Sequence, residues 1–240
     1  VADFYRTWYV PANAIVTVGG DVEPAAVMAR LERWFGGFPR SSRPVRRTIA
    51  QPRVERARRV VADPFARLAR LRWAWHAPAA LAPDEAELEV LCNALGAPGV
   101  GRLWRRLVHD RELAQRVSAQ ASGARLGGEL HVVVDVKSEA ATEEIEPILA
   151  EEMTRVVEEP LADHEVARAV TRREAAFVWR LEGMAARVGT VARYALYRDQ
   201  PDSLAWDLAR LRAVTPATVL AAARRWLDPA RRVEVVTTPG

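Results

Sequence analysis

Two stretches decide the reading of this sequence: RTWYVPANAIVTV at Arg6–Val18 and RRWLDPARRVEVV at Arg224–Val236. At a constant offset of 218 residues, Arg6/Arg224, Trp8/Trp226, Pro11/Pro229, Ala12/Ala230 and Val18/Val236 coincide, and Ile15 meets Val233. Each copy has the form of a helix end, a proline turn and a β-rich run, because proline disfavours helix in the residue before it and β-branched side chains follow. A unit repeated at that distance implies a duplicated module of roughly 200 residues. The 240-residue chain is then expected to hold the tail of one module at 1–39 and the whole of a second at 65–240. A chance match would leave one large domain.

The stretch between them is expected to be a linker. Residues 40–72 hold eleven arginines, among them Arg56, Arg58 and Arg59, against only Glu55 and Asp63. With Ser41, Ser42, Pro44 and Pro52 among them, residues 40–64 have the composition of a solvated basic linker. A nucleic-acid-binding module is the alternative that the same arginines leave open. Lys137 is the sole lysine among 35 basic side chains, and the net charge is only +4. Such arginine enrichment is the expected product of codon bias rather than a statement about partners.

Outward from the repeats, the patterning is that of a mixed α+β protein. Leu71, Trp73 and Trp75 alternate with Arg72, Ala74 and His76, as in a half-buried strand. Pro83-Asp84-Glu85 opens a helix with Leu88, Leu91, Cys92 and Leu95 on one face, and the glycines of Gly96–Gly101 break it before RLWRRLVH. Strands are expected near 115–122 and 129–136, joined as a hairpin, followed by helices near 141–159, 163–182, 184–198, 202–212 and 216–227. The acidic face of the 141–159 helix, which carries Glu139 through Glu159, is expected to be solvated. No apolar run of about 18 residues is present, so no membrane-spanning helix is expected.

The chemistry-bearing motifs are mostly missing. His76, His109, His131 and His164 are too far apart for a two-histidine helical face, and Leu113 stands where H-x-x-E-H would need its second histidine. Cys92 is the single cysteine. Neither a nucleophile elbow nor a phosphate loop is present. No catalytic residue, metal ligand or cofactor is therefore expected within this stretch. The glycine-rich segment offers the one positive feature: Gly99, Gly101 and Arg102 are candidate substrate contacts, since glycine permits close approach of another chain. Arg102, Arg105 and Arg106 stand at the unfavourable end of a helix dipole for a cation, where they are expected either to answer an external anion or carboxylate or simply to be solvated.

Several stretches together resemble the insulinase/pitrilysin zinc metallopeptidase family (the inverzincin clan). FYRTWYVPANAIVTVGGDVEP at Phe4–Pro24 is similar to that family's module ending, and GVGRLWRRLVHDRELAQRVSAQ at Gly99–Gln120 to its "R-L-x-x-x-L … L-A-x-x-V" segment. FVWRLEGMAARVGTVARYALY at Phe177–Tyr197 and the run from Leu211 to Gly240 are similar to its closing helices and last strand. The resemblance implies an antiparallel sheet covered by helices, in modules paired into halves that close like a clamshell on a peptide. It places the zinc-binding H-x-x-E-H motif in a preceding module, so zinc would belong to a parent protein and not to this stretch. The implied parent is a bacterial zinc endopeptidase, with the periplasm or another extracytoplasmic location as its expected compartment. The implied partners are the other half of the clamshell and a peptide substrate. A non-catalytic scaffold subunit of the same family is the alternative. The arginine–tyrosine pair that non-zinc halves use on substrate does not carry over, because Arg187 and Tyr194 fall in a stretch where the resemblance does not place it.

Overall fold

A computed structural model describes residues 1–46, 50, 54–138 and 141–240. In chain order, α1 (Ala2–Trp8) and α2 (Pro24–Phe35) precede β1 (Ala57–Asp63), β2 (Arg70–Ala77) and α3 (Glu85–Gly96). A short α4 (Arg102–Trp104) runs on into wider π-helical turns at Arg105–Asp110, then come β3 (Ala114–Gly123) and β4 (Gly128–Val136). The rest is α5 (Ala141–Glu158), α6 (Asp163–Arg180), α7 (Met184–Arg198), α8 (Leu204–Arg212), α9 (Pro216–Trp226) and β5 (Val233–Pro239). The chain divides into two compact units, residues 1–49 with 175–206, and residues 50–174 with 207–240.

The larger unit is built on a five-stranded sheet in the order β1-β5-β2-β4-β3. All neighbours are antiparallel except β1 and β5, so the sheet is mixed. Period-two burial along β2 sends Leu71, Trp73 and Trp75 to one face, where they meet Leu88, Leu91 and Leu95 of α3, Ile145 and Leu149 of α5, and Val219 and Ala222 of α9. Each such large side chain contributes on the order of 1.5–3 kcal/mol by leaving water. Thr215 starts α9 with a reciprocal capping box to Thr218, and Pro216 fills the first turn, where no N–H is required.

β1 departs from the expected pattern, since it arises inside the arginine-rich stretch 40–64. Arg47, Pro52 and Arg53 of that stretch lie outside the described residues, as does Glu139 of the acidic run. A two-sided edge strand needs no apolar alternation, and Ala57–Asp63 is largely exposed. Its anchors are charged. Glu234 of β5, fully buried, receives Arg56 at 2.9 Å and Arg232 at 2.6 Å, with Arg58 at 3.7 Å. The Arg232 guanidinium also lies 3.5 Å from the centroid of the Trp73 ring, a cation–π contact under the sheet.

The smaller unit holds α1, α2 and α7. Here Tyr5 and Tyr9 stack at 4.6 Å, Asn13 donates to the Trp8 carbonyl, and Arg198 lies over Trp206. The two repeat copies take the same local form. In each, a helix (α1, α9) leads into a 3-10 turn begun by proline (Pro11–Asn13, Pro229–Arg231) and then into extended backbone. Their fates differ: β5 pairs on both sides, whereas residues 14–19 join no ladder, and Ile15, Val16 and Val18 stay exposed.

Candidate functional site: a cleft beside an edge strand

Among the described residues β3 closes one end of the sheet and has a strand neighbour on one side only. Its turn fixes which backbone groups are left over. Ala124 N–H donates to Gly127 C=O at 2.8 Å, so bonded pairs recur at Ser122/Glu129, Gln120/His131 and Ser118/Val133. The N–H and C=O groups of Val117, Ala119 and Ala121 therefore point away from β4. The C-terminal end of α3 approaches that side closely. A Cβ on Gly96 would lie 2.4 Å from Ala119 N, so only glycine permits the approach. Elsewhere α3 and β3 diverge around a cleft of about 480 Å³, with Glu89, Asn93 and Pro98 on one wall and Gln115–Ser122 on the other. Trp104 and the arginines Arg172 and Arg173 of α6 complete it.

None of the three candidate contacts lines this cleft; they follow Pro98, which does, and they do different things. Gly99 has φ +82° and faces open space, so it presents bare backbone to solvent. Gly101 is buried at the start of α4; its N–H donates to Ala97 C=O, and a Cβ there would lie 2.5 Å from the Leu95 carbonyl oxygen. Arg102 finds its answering carboxylates inside the protein. Its Nε and Nη2 bind both oxygens of Glu165, at 2.7 and 2.5 Å, and its Nη1 reaches Glu152 at 3.2 Å. These bonds raise the Arg102 pKa and hold the Glu165 carboxyl below the usual carboxylate range.

The acidic face of α5 is accordingly not all solvated, contrary to expectation. Glu152 is fully buried and also meets Arg106 at 3.5 Å and Arg155 at 3.8 Å. Burial costs a carboxylate several kcal/mol, and the three guanidinium groups offset that. Elsewhere along the basic stretch, Arg43, Arg56, Arg58, Arg70 and Arg72 each pair with a carboxylate, so these five are not free cations for a nucleic-acid surface.

A zinc ion finds no donor set here. Among the described residues no three His, Cys, Asp or Glu side chains converge. His109 contacts Asp110 at 2.8 Å, while His131 faces Glu129 at 3.3 Å with its pKa lowered by burial and by Arg72. Cys92, buried against the cleft floor, has its thiol pushed well above the ordinary range by desolvation. In the smaller unit Tyr194 is buried and Arg187 donates to the Glu182 carbonyl. None of the described helices is long and apolar enough to cross a membrane.

Gly96 and the outward edge of β3 were not singled out as contacts by the sequence pattern. The glycine spacing pointed to the loop, whereas the edge exists only through the strand order. Arg116 and Arg172 carried no signal among so many arginines.

Comparison with known proteins places this geometry. An uncharacterized zinc protease of Streptomyces coelicolor is 28% identical over 239 residues, covering 92% of this chain and 49% of that protein. The chain thus spans about half the length of the curated relative it matches. A protease from Helicobacter pylori shares the fold with a TM-score of 0.83 at 18% identity, over 99% of this chain and 58% of that one. A chain of complex III2 from Candida albicans does so with a TM-score of 0.82 at 14% identity, over 98% and 57%. The family model described as the peptidase M16 inactive domain matches residues 1–173. With nearly three quarters of its length under that model, the chain belongs to the peptidase M16 inactive-domain family.

Proposed function

We propose that this chain is the non-zinc part of a two-halved peptidase chamber, and that it holds an extended peptide by adding it as a strand to β3. The single observation that carries this reading is the edge at Val117 and Ala121, whose backbone groups turn away from β4 along the cleft on either side of the point where Gly96 closes on Ala119. Main-chain pairing supplies affinity with little demand on sequence, which suits a protein that must present many peptides for cleavage. Hydrolysis itself, and the zinc it needs, would belong to another module. Gly99, next to Pro98 of the cleft wall, has open space around it, while Gly101 and Arg102 keep the loop in shape.

The exposed apolar side chains of the smaller unit support assigning residues 1–39 to a preceding module, with Trp34 at 72% and Phe35 at 53% exposure. A hydrophobic surface of that kind belongs against another folded part. On this reading 65–240, with β1 added from the linker stretch, is the second module.

The test is an Ala121→Pro substitution, which removes one outward N–H while leaving the β3–β4 ladder intact. A fluorescein-labelled peptide of about ten alternating threonine and valine residues serves as the probe. Binding to the 240-residue chain should weaken at least several-fold in the variant at unchanged thermal stability. Equal binding would remove the β3 edge from the reading. A scaffold subunit is the second reading, favoured by the same fold in the complex III2 chain. An upstream H-x-x-E-H in the parent supports the peptidase, and a parent without it supports the scaffold.

A further inference from the structure

The cleft along β3 is unbalanced in charge. Its ionisable lining consists of Glu89, Arg116, Arg172 and Arg173. Glu89 and Arg173 form a short ion pair and cancel one another. Arg116 and Arg172 are exposed and form no ion pair, and no other acidic side chain lines the cleft among the described residues. This sets them apart from Arg102, Arg106 and Arg210, whose guanidinium groups are bound by Glu165, Glu151 and Glu85. Two free cations in a concave, partly desolvated groove focus a positive potential on whatever enters it.

We infer that the segment held on β3 is acidic, carrying carboxylates that meet Arg172 on one side and Arg116 on the other. The inference rests on the β3 reading above and adds the chemistry of the occupant. The two arginines stand on opposite sides of the strand. Arg116 pairs in register with Asp135, on the sheet face away from Val117 and Val134, whereas α6 contributes Val166 and Ala169 to the helical layer. Side chains of an added strand alternate between those two sides. Acidic residues separated by an odd number of positions would therefore reach both arginines, whereas an i, i+2 pair would engage only one side. The remaining wall is neutral and polar at Gln115, Gln120, Ser118 and Ser122, which leaves the intervening positions unrestricted.

The test uses the whole 240-residue chain and three labelled peptides of about ten residues, matched in length and built on the threonine–valine repeat. One carries two glutamates at odd spacing, one has glutamines there and one has lysines. In fluorescence anisotropy the glutamate peptide should bind about ten-fold more tightly than the lysine peptide at low salt, two partly exposed charge pairs being worth about that much. The glutamine peptide should fall between them, and the difference should shrink as salt is raised. The R116E/R172E double variant should reverse the order of the glutamate and lysine peptides, with circular dichroism confirming the fold. Equal binding of all three peptides would overturn the acidic preference while leaving β3 as a peptide site. If no peptide binds, or if N-methylation of alternate backbone amides leaves binding unchanged, the β3 reading itself fails and takes the inference with it.

Discussion

Replacing Arg102 by methionine should destabilise the larger unit strongly, because the side chain is a structural counter-ion. The methionine keeps most of the apolar stem but removes the guanidinium that binds Glu165 through two bonds and Glu152 through a third. Glu152 is left with Arg106 at 3.5 Å and Arg155 at 3.8 Å, both poorer partners, and Glu165 keeps only the Ala162 N–H. Orphaning a buried partner of an ion pair costs about 3–5 kcal/mol; the lower end applies here because Arg102 is itself partly exposed. At about 2–4 °C per kcal/mol for a unit of this size, about 3 kcal/mol lowers the melting temperature by about 6–12 °C. The pH dependence supplies a second readout. The Glu165 carboxyl is held below its ordinary range by Arg102, so its contribution is fully present above the ordinary carboxylate pKa and is lost as pH falls through the depressed value. The gap between wild type and R102M should be widest near neutrality and should narrow below about pH 4. The double variant R102M/E165M, which removes both charges, should recover part of the loss. Differential scanning calorimetry from pH 3 to 8 reads all three. A melting temperature within about 1 °C of wild type across that range would refute the structural assignment of Arg102.

Three further outcomes follow from the same packing. Gly96→Ala places a Cβ 2.4 Å from Ala119 N and must push α3 off β3; the cost should be about 1–3 kcal/mol in chemical denaturation despite alanine's better helix propensity. Glu234→Gln leaves Arg56 and Arg232 without their shared carboxylate, and amide hydrogen exchange in β1 should accelerate ahead of that in β2 and β4. The Cys92 thiol, buried and kept protonated by desolvation, should resist a thiol-specific disulfide reagent in the native protein and react at once in denaturant.

How much of this was legible in the sequence follows from where each signal comes from. β2 declared itself because its apolar face is buried and its other face is not, so Leu71, Trp73 and Trp75 alternate cleanly. The caps at Thr215 and Pro216 are local chemistry and need no tertiary information. β1 left no such trace. Its neighbour is β5, more than 170 residues on, and its anchor is the buried Glu234, so the periodicity of Ala57–Asp63 carries no sign of pairing. Glu152 and Glu151 are adjacent acids on one helix, yet one is buried among three arginines and the other is half exposed; only the position of α4 separates them. The glycine-rich loop was visible as glycine, but the edge it flanks depends on β3 standing last in the sheet, which no local pattern encodes. The family resemblance in the module-ending and Gly99–Gln120 segments supplied the fold that these weak local signals did not.

The central claim is that the outward edge of β3 receives a peptide backbone. Residue-resolved hydrogen exchange tests it most directly, with the 240-residue chain measured alone and saturated with the glutamate peptide. The amides of Val117 and Ala121 should slow markedly, while that of Ala119, covered by Gly96, and the β3 amides already bonded to β4, at Ser118 and Gln120, should change little. Unchanged exchange at Val117 and Ala121, or protection spread evenly along both sides of the strand, would contradict the account.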